Sequence, residues 1–397
     1  MAAPHAGLDA LYEPDRFARV AERHRQAFAW RPQGWIPLGI HVVNPRHSAG
    51  IDYHQWLNPA PFLEFQVKVL ADTLTVGSDV LPAVGINHLG NAVIPTMFGA
   101  RLIMPESSST TIQDVGPEAY PVFEHIRQAA EAGLPAMDAG LMPQLERFAC
   151  FFRQRLPAWV RIVPPDGAGP FSTAMQLRGS GILADLVDDP ERCRQFIDMC
   201  ADVVVGVQQR LRRLVGLVEQ DEHVTNFGIL GAGLRLGEDS MVCLSPAMIR
   251  QFCVPAFARV NRLCGGRGHV HFCSLPHSRY EHIYRALAEA PAVRRAPRVA
   301  PDAHADKGEV AVISSQFAFE YYAQHLEELR GRLAVESFYG SDAHASVRDR
   351  YGSFRDWAND FVPRFKNASG LVLYFQVASV EEGREVWDAW QASHRRG

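Results

Sequence analysis

The chain lacks any run of uncharged apolar residues long enough to cross a membrane, and its opening residues, MAAPHAGLDALYEPDR, carry acidic groups where a secretory signal needs an extended apolar segment. Both absences point to a soluble, cytoplasmic protein. Nor is there a charge excess: 40 Lys and Arg stand against 44 Asp and Glu, a formal net charge of -4, which leaves no broad basic surface for nucleic acid. The seven cysteines form no closely spaced CxxC pair, and their odd number leaves at least one unpaired. That pattern suits a reducing compartment better than a disulfide scaffold. No low-complexity or sustained polar stretch argues for disorder.

What is present is a chain of 397 residues and 44.2 kDa, which can bury about three quarters of its extended surface and needs no staples. Strand-like segments occur at Ile36 to Ile40, Asp79 to Val84, Val160 to Val163, Val224 to Leu230, His269 to Cys273, Val310 to Ser314, Leu333 to Ser337 and Leu371 to Phe375. Helical periodicity separates most of them, with starts marked by Asn58-Pro59, Asp189-Pro190 and Ser245-Pro246. Eight strands alternating with helices fit a single α/β (β/α)₈ TIM barrel over residues 31–397, preceded by an N-terminal helical extension over 1–30, better than a doubly wound open sheet. The long Gly-, Pro- and Ser-rich stretch 85–115 is expected near a functional face.

Chemistry concentrates in Gly265-Gly266-Arg267-Gly268-His269-Val270-His271-Phe272-Cys273. Two-residue alternation sends His269, His271 and Cys273 to one face of a strand and Val270 and Phe272 to the other. Alternate residues lie about 6.6 Å apart, within the span of one ion, whereas first and fifth lie about 13 Å apart, so a neighbouring pair is the realistic unit. His271 with Cys273 is nearer the following loop, and Zn(II) accepts nitrogen and thiolate together. The plainer alternative is two satisfied interior histidines and a small buried cysteine.

Other candidates surround this pair. Asp79 precedes Val80-Leu81-Pro82 and is suited to a substrate hydrogen bond, proton transfer or turn capping. Glu238 and Asp239 follow a glycine-rich loop at a strand end, where a partly desolvated carboxylate can move protons, Asp239 being preferred. Glu336, Asp342 and His344 form a second group able to complete a metal shell or orient a histidine. Asn87 and His88 lie in the loop after the second strand. The glycines of Gly228-Ile229-Leu230-Gly231-Ala232-Gly233 lack the GxGxxG spacing and do not support a dinucleotide site.

The order of Thr75-Val76-Gly77-Ser78-Asp79-Val80-Leu81-Pro82, Gly169-Pro170-Phe171-Ser172-Thr173-Ala174, Leu186-Val187-Asp188-Asp189-Pro190, Leu244-Ser245-Pro246, Gly268-His269-Val270-His271-Phe272-Cys273 and Gly370-Leu371-Val372-Leu373 resembles the uroporphyrinogen decarboxylase superfamily. The similarity is strongest to divergent members grouped with corrinoid-dependent methyltransferases of the methylcobamide:coenzyme M type, and it spans about residues 70 to 390. The resemblance implies zinc on His271 and Cys273. The family's third ligand, a late cysteine, has no counterpart, since no cysteine follows Cys273; His269, Glu336, Asp342 or His344 would replace it, with Glu336 preferred. The resemblance also matches Asp79 to the family's aspartate near the second strand; with Asp239 and His344, read from their places at strand ends, and His271, the expected catalytic set is Asp79, Asp239, His271 and His344. Metal-assisted methyl transfer to a small-molecule nucleophile is the expected reaction, the methyl group coming from a methylcobamide on a separate corrinoid protein or from another small methyl donor, and a homodimer is a further possible partnership. The alternative is a metal-independent decarboxylase or lyase. Its substrate would be a small carboxylated compound other than uroporphyrinogen, because Arg46 alone replaces the family's arginine-rich segment for eight carboxylates.

Overall fold

Apolar side chains on one face of each strand decide where the sheet sits, and short polar turns with proline and glycine decide where it breaks. The protein is described by a computed structural model over residues 7–48, 57–103, 118–119, 121–217, 223–231, 233–264, 268–272, 280–289, 310–315, 326–330, 333–339, 347–367 and 369–396. Its strands are β1 (Leu38–Val42), β2 (Ala83–Gly85), β3 (Leu102–Ile103), β4 (Glu118–Ala119), β5 (Arg161–Val163), β6 (His223–Val224), β7 (Leu230–Gly231), β8 (Arg235–Gly237), β9 (Gly268–Phe272), β10 (Val310–Ser315), β11 (Ala334–Tyr339) and β12 (Leu371–Val377). Six of them form one parallel sheet in the order β8-β9-β10-β11-β12-β1, and β2 pairs with β5 in parallel. Two small antiparallel pairs, β3 with β4 and β6 with β7, complete the set.

The alternation of parallel strands and helices is therefore present, but the described strands do not close into one continuous eight-stranded ladder. Between β1 and β2 the link is a bond from Asp79 N–H to Leu38 O (3.0 Å). On the other side, β8 is met by the loop after β5, through a bridge at Ala168 and Gly237 and bonds of 2.7 and 3.0 Å. Proline supplies the physical reason: Pro82 precedes β2 and Pro164-Pro165 follow β5, and none of the three has an N–H to extend a ladder.

One strand was misplaced by the sequence pattern. Val224 to Leu230 is a hairpin that turns at Gly228 (φ 75°), with Thr225 N–H donating to Ile229 O at 2.8 Å. The strand that pairs with β9 is the short β8, which holds the buried Arg235 and so breaks the apolar pattern of a core strand.

The two faces of the sheet differ. Leu38, Ile40, Val270, Phe272, Leu371, Leu373 and Phe375 pack outward into a large core shared with helices Pro59–Val76, Pro190–Leu214, Phe354–Phe365 and Val380–Arg396. Those helices begin where expected, since Asn58 accepts from Ala60 N–H (3.2 Å) and Asp189 from Arg192 N–H (3.2 Å). Inward positions form a separate small cluster in which Ile229, Ala334, Val372 and Tyr374 meet Ala27 and Phe28 of helix Pro14–Phe28. That helix lies against the strand starts: Gly370, just before β12, donates its N–H to Ala27 O at 2.9 Å.

Gly370 has φ 83°, and a Cβ there would lie 2.4 Å from the ring of Trp30. Gly370→Ala combines left-handed backbone strain with a steric clash, and is expected to cost about 2 kcal/mol or more in urea unfolding. An unchanged midpoint would show that the helix does not seat against β12 in this way.

Candidate functional site

On β9, Val270 and Phe272 face the outer core, so His269 and His271 face inward. Parallel register places His271 beside Ser314 of β10, and Ser314 beside Glu336 of β11. His271 is partly exposed, while His269 and Glu336 are almost completely buried. His269 Nε2 lies 3.5 Å from Glu336 Oε2. Neither His269 ring nitrogen nor this carboxylate oxygen makes a hydrogen bond among the described residues. Burial dominates the ionisation of both: it holds His269 well below the usual imidazole range, with nearby Arg235 acting in the same direction, and it pushes Glu336 up to about 7 against the pull of Arg235. His271 is also lowered, by burial and by Arg235.

Arg235 is the charge at the centre of this group. Its guanidinium forms an ion pair with Asp166, two residues after Pro164, and sits 5.7 Å over the ring of Phe227. Asp166 would be raised by burial, but Arg235 and the neighbouring His223 outweigh that and hold it below its ordinary value. His223 Nε2 is 3.9 Å from Asp166 Oδ1, an electrostatic contact too long for a direct hydrogen bond. Phe227 packs against Tyr374 (4.7 Å between ring centres), and His41 lies against both at 5.8 and 6.0 Å. Phe227, His271 and Gln376 are each half-exposed among otherwise buried inward neighbours, so solvent reaches the inner face of the sheet.

The structure distributes the residues expected from the sequence unequally. His271 and Glu336 share an inward register row, and Glu336 also lies against His269. Asp79 stands at the strand starts, away from the strand ends where parallel sheets place their chemistry. It is 1% exposed and accepts from Arg23 (2.6 Å), Trp35 Nε1 (2.8 Å) and Leu38 N–H (3.2 Å), so it fastens the N-terminal helix to β1. Asp239 opens the short 3-10 helix Asp239–Cys243 and is half-buried. Its neighbour Glu238 is the fully buried carboxylate, accepting from Phe171 and Ser172 N–H at 2.9 and 2.8 Å and so capping helix Pro170–Arg178. Cys273, Asp342 and His344 lie outside the described residues, as do the side chains of Asn87 and His88. Among the described residues no three His, Cys, Asp or Glu donors are grouped to hold a metal.

Sequence reasoning missed Arg235, Asp166 and His223. A signal existed: an arginine between Leu234 and Leu236, and an aspartate directly after two prolines at a strand end, both break an apolar context. Only the pairing partner, 69 positions away, shows why the arginine is tolerated.

Two further buried histidines give the protein an acid response. Burial lowers His41 from the ordinary 6.5 to about 4 and His24 to about 3. The unfolded chain therefore takes up protons near pH 6.5 that the folded chain refuses. Their contribution is fully present above about pH 6.5 and is lost as pH falls toward 4; His269 and His271, also lowered by burial, act in the same direction, while Glu238 and Glu336, each raised to about 7, and Asp79, also raised, act in the opposite one. The urea midpoint is expected to fall between pH 6.5 and 5, and His41→Leu to flatten part of that slope. An unchanged slope in His41→Leu contradicts that histidine being buried neutral.

A methyltransferase from Methanosarcina mazei has a similar structure, with a TM-score of 0.63 over 94% of this chain and 98% of that one at 14% sequence identity. An identity this low establishes likeness of fold. No family profile and no curated protein sequence matches the chain.

Proposed function

We propose that the protein is an enzyme that transfers a methyl group to a small-molecule nucleophile at the inner face of β9 and β11. The observation that carries this reading is the inward row of half-exposed His271 and buried Glu336, in a fold shared with a methyltransferase. In the reaction the nucleophile forms a bond to the methyl carbon while the bond from that carbon to the donor breaks, its electron pair staying with the donor. The nucleophile's proton passes to Glu336, which His269 faces at 3.5 Å. His271, at the solvent-reached end of the row, orients the nucleophile. A methylcobamide on a separate corrinoid protein, docking at the strand ends where His344 is expected, is the proposed donor.

Zinc on His271, Cys273 and Glu336 fits the described residues only in part. They supply two of the three donors, and Glu336 lies against His269 at 3.5 Å. No step is therefore routed through the metal. A second reading, a proton-handling lyase or decarboxylase, is favoured by the Glu336 and His269 pair itself, because a buried carboxylate near neutrality beside a neutral imidazole suits proton movement.

Elemental analysis of protein purified without added metal or a metal-binding tag, with His271→Ala and Cys273→Ala alongside, tests the metal. About one equivalent of zinc, lost in both variants, is expected if the pair binds it. Persistent absence after zinc supplementation overturns the metal arm. Transfer from free methylcobalamin to a small thiol, followed by the absorbance of the corrinoid, tests the reaction. Glu336→Gln is expected to slow it roughly 100-fold; an undiminished rate removes Glu336 as the proton acceptor, and metal-free protein without transfer moves the lyase reading to first place.

A further inference from the structure

We propose that Asp166 and His223 form a hydroxyl-binding subsite, so that the small molecule acted on here is a neutral compound carrying an alcohol or phenol group on a flat apolar body. The proposal rests on the methyl-transfer reading only for which molecule reacts; the subsite follows from geometry.

Asp166 presents two oxygens of different standing. Oδ2 is held by Arg235, whereas Oδ1 is buried and makes no hydrogen bond among the described residues. Opposite it, both ring nitrogens of His223 are buried without a hydrogen bond among the described residues, in a side chain only 3% exposed. Leaving such groups unsatisfied forfeits the hydrogen bonds they make to water in the unfolded chain, so the arrangement calls for a partner. The 3.9 Å between Asp166 Oδ1 and His223 Nε2 is too long for a direct bond; an oxygen seated beside the line joining them would lie within about 2.8 Å of both once the side chains, closed over these buried atoms, part to admit it. With the imidazole proton on Nε2, the tautomer that the facing carboxylate favours, that oxygen donates to Asp166 and accepts from His223. A hydroxyl does both. An ammonium has nothing to accept with, and a carboxylate or phosphate would face Asp166 with like charge.

The surroundings define the rest of the molecule. Arg235 is paired with Asp166 by charge, which leaves the subsite without a net charge to attract an ion. The same guanidinium lies over Phe227, whose half-exposed ring continues through Tyr374 to His41. A flat apolar body packed against the partly exposed Phe227 ring would lie beside the Arg235 and Asp166 pair that its hydroxyl addresses. Asp166 follows β5 by three positions, on the side of the sheet where the strands end. Access from that end therefore does not require passage through the core.

Phenol and toluene, alike in shape and differing in the hydroxyl, are the probes, with affinities measured by ligand-observed NMR titration of the full chain. Phenol is expected to bind the parent protein roughly tenfold or more tightly than toluene, and the ratio to collapse toward one in His223→Phe and in Asp166→Asn, each checked for folding by circular dichroism. A crystal soaked in phenol should show its oxygen between the two side chains. A ratio near one in the parent protein, no binding of phenol, or an ordered water alone in the gap with phenol elsewhere overturns the subsite. If Asp166→Asn fails to fold because Arg235 loses its partner, His223→Phe and the parent ratio still decide. The measurement needs no turnover. A failed methyl-transfer assay with an intact hydroxyl preference would remove the reaction and keep the subsite, and the reverse pattern would remove only the subsite.

Discussion

The two-residue alternation of the parallel strands is the constraint on which the rest depends. It commits one side of β1, β9, β11 and β12 to aliphatic and aromatic packing against the helices and leaves the other side for Glu336, Tyr374, His41, His269 and His271. A slip of one residue in β9 would drive two imidazoles into the outer core and turn Val270 and Phe272 inward, an exchange that costs both hydrophobic burial and polar desolvation. The polar interior is thus not an addition to the fold. The register that buries the outer core also creates it.

Inside that arrangement the charges balance one another. Asp166 neutralises Arg235, Arg235 draws Glu336 toward its ionised form, and burial resists both shifts. A buried ion pair contributes little net stability once desolvation is counted. The pair at Asp166 and Arg235 is better understood as fixing the local field in which the imidazoles of β9 remain neutral.

Local signals were legible in the sequence, and long-range ones were not. Asn58-Pro59, Asp189-Pro190 and Ser245-Pro246 each mark a helix start because a cap acts on an N–H two or three residues away. The inward facing of His269 and His271 was equally legible, since it needs only the period of a strand. The hairpin at Gly228 was hidden because an apolar run looks the same whether it continues or doubles back. β8 was hidden because its arginine is compensated by Asp166, far away in the chain. Glu238 and Asp239 are adjacent carboxylates that composition cannot separate; only the approach of helix Pro170–Arg178 engages the first. Asp79 shows the converse, since its residue type suits catalysis while its three donors tie it to structure.

Helix Pro14–Phe28 closes the strand starts with Ala27 and Phe28, and Trp30 stands against Gly370. The inner face of the sheet consequently has a floor. Among the described residues that side is closed, so on the reading proposed above donor and product would share the strand ends, and a spent donor would obstruct the next arrival. Turnover in such a vessel would be sequential, with the order of departure set by the architecture as much as the order of entry.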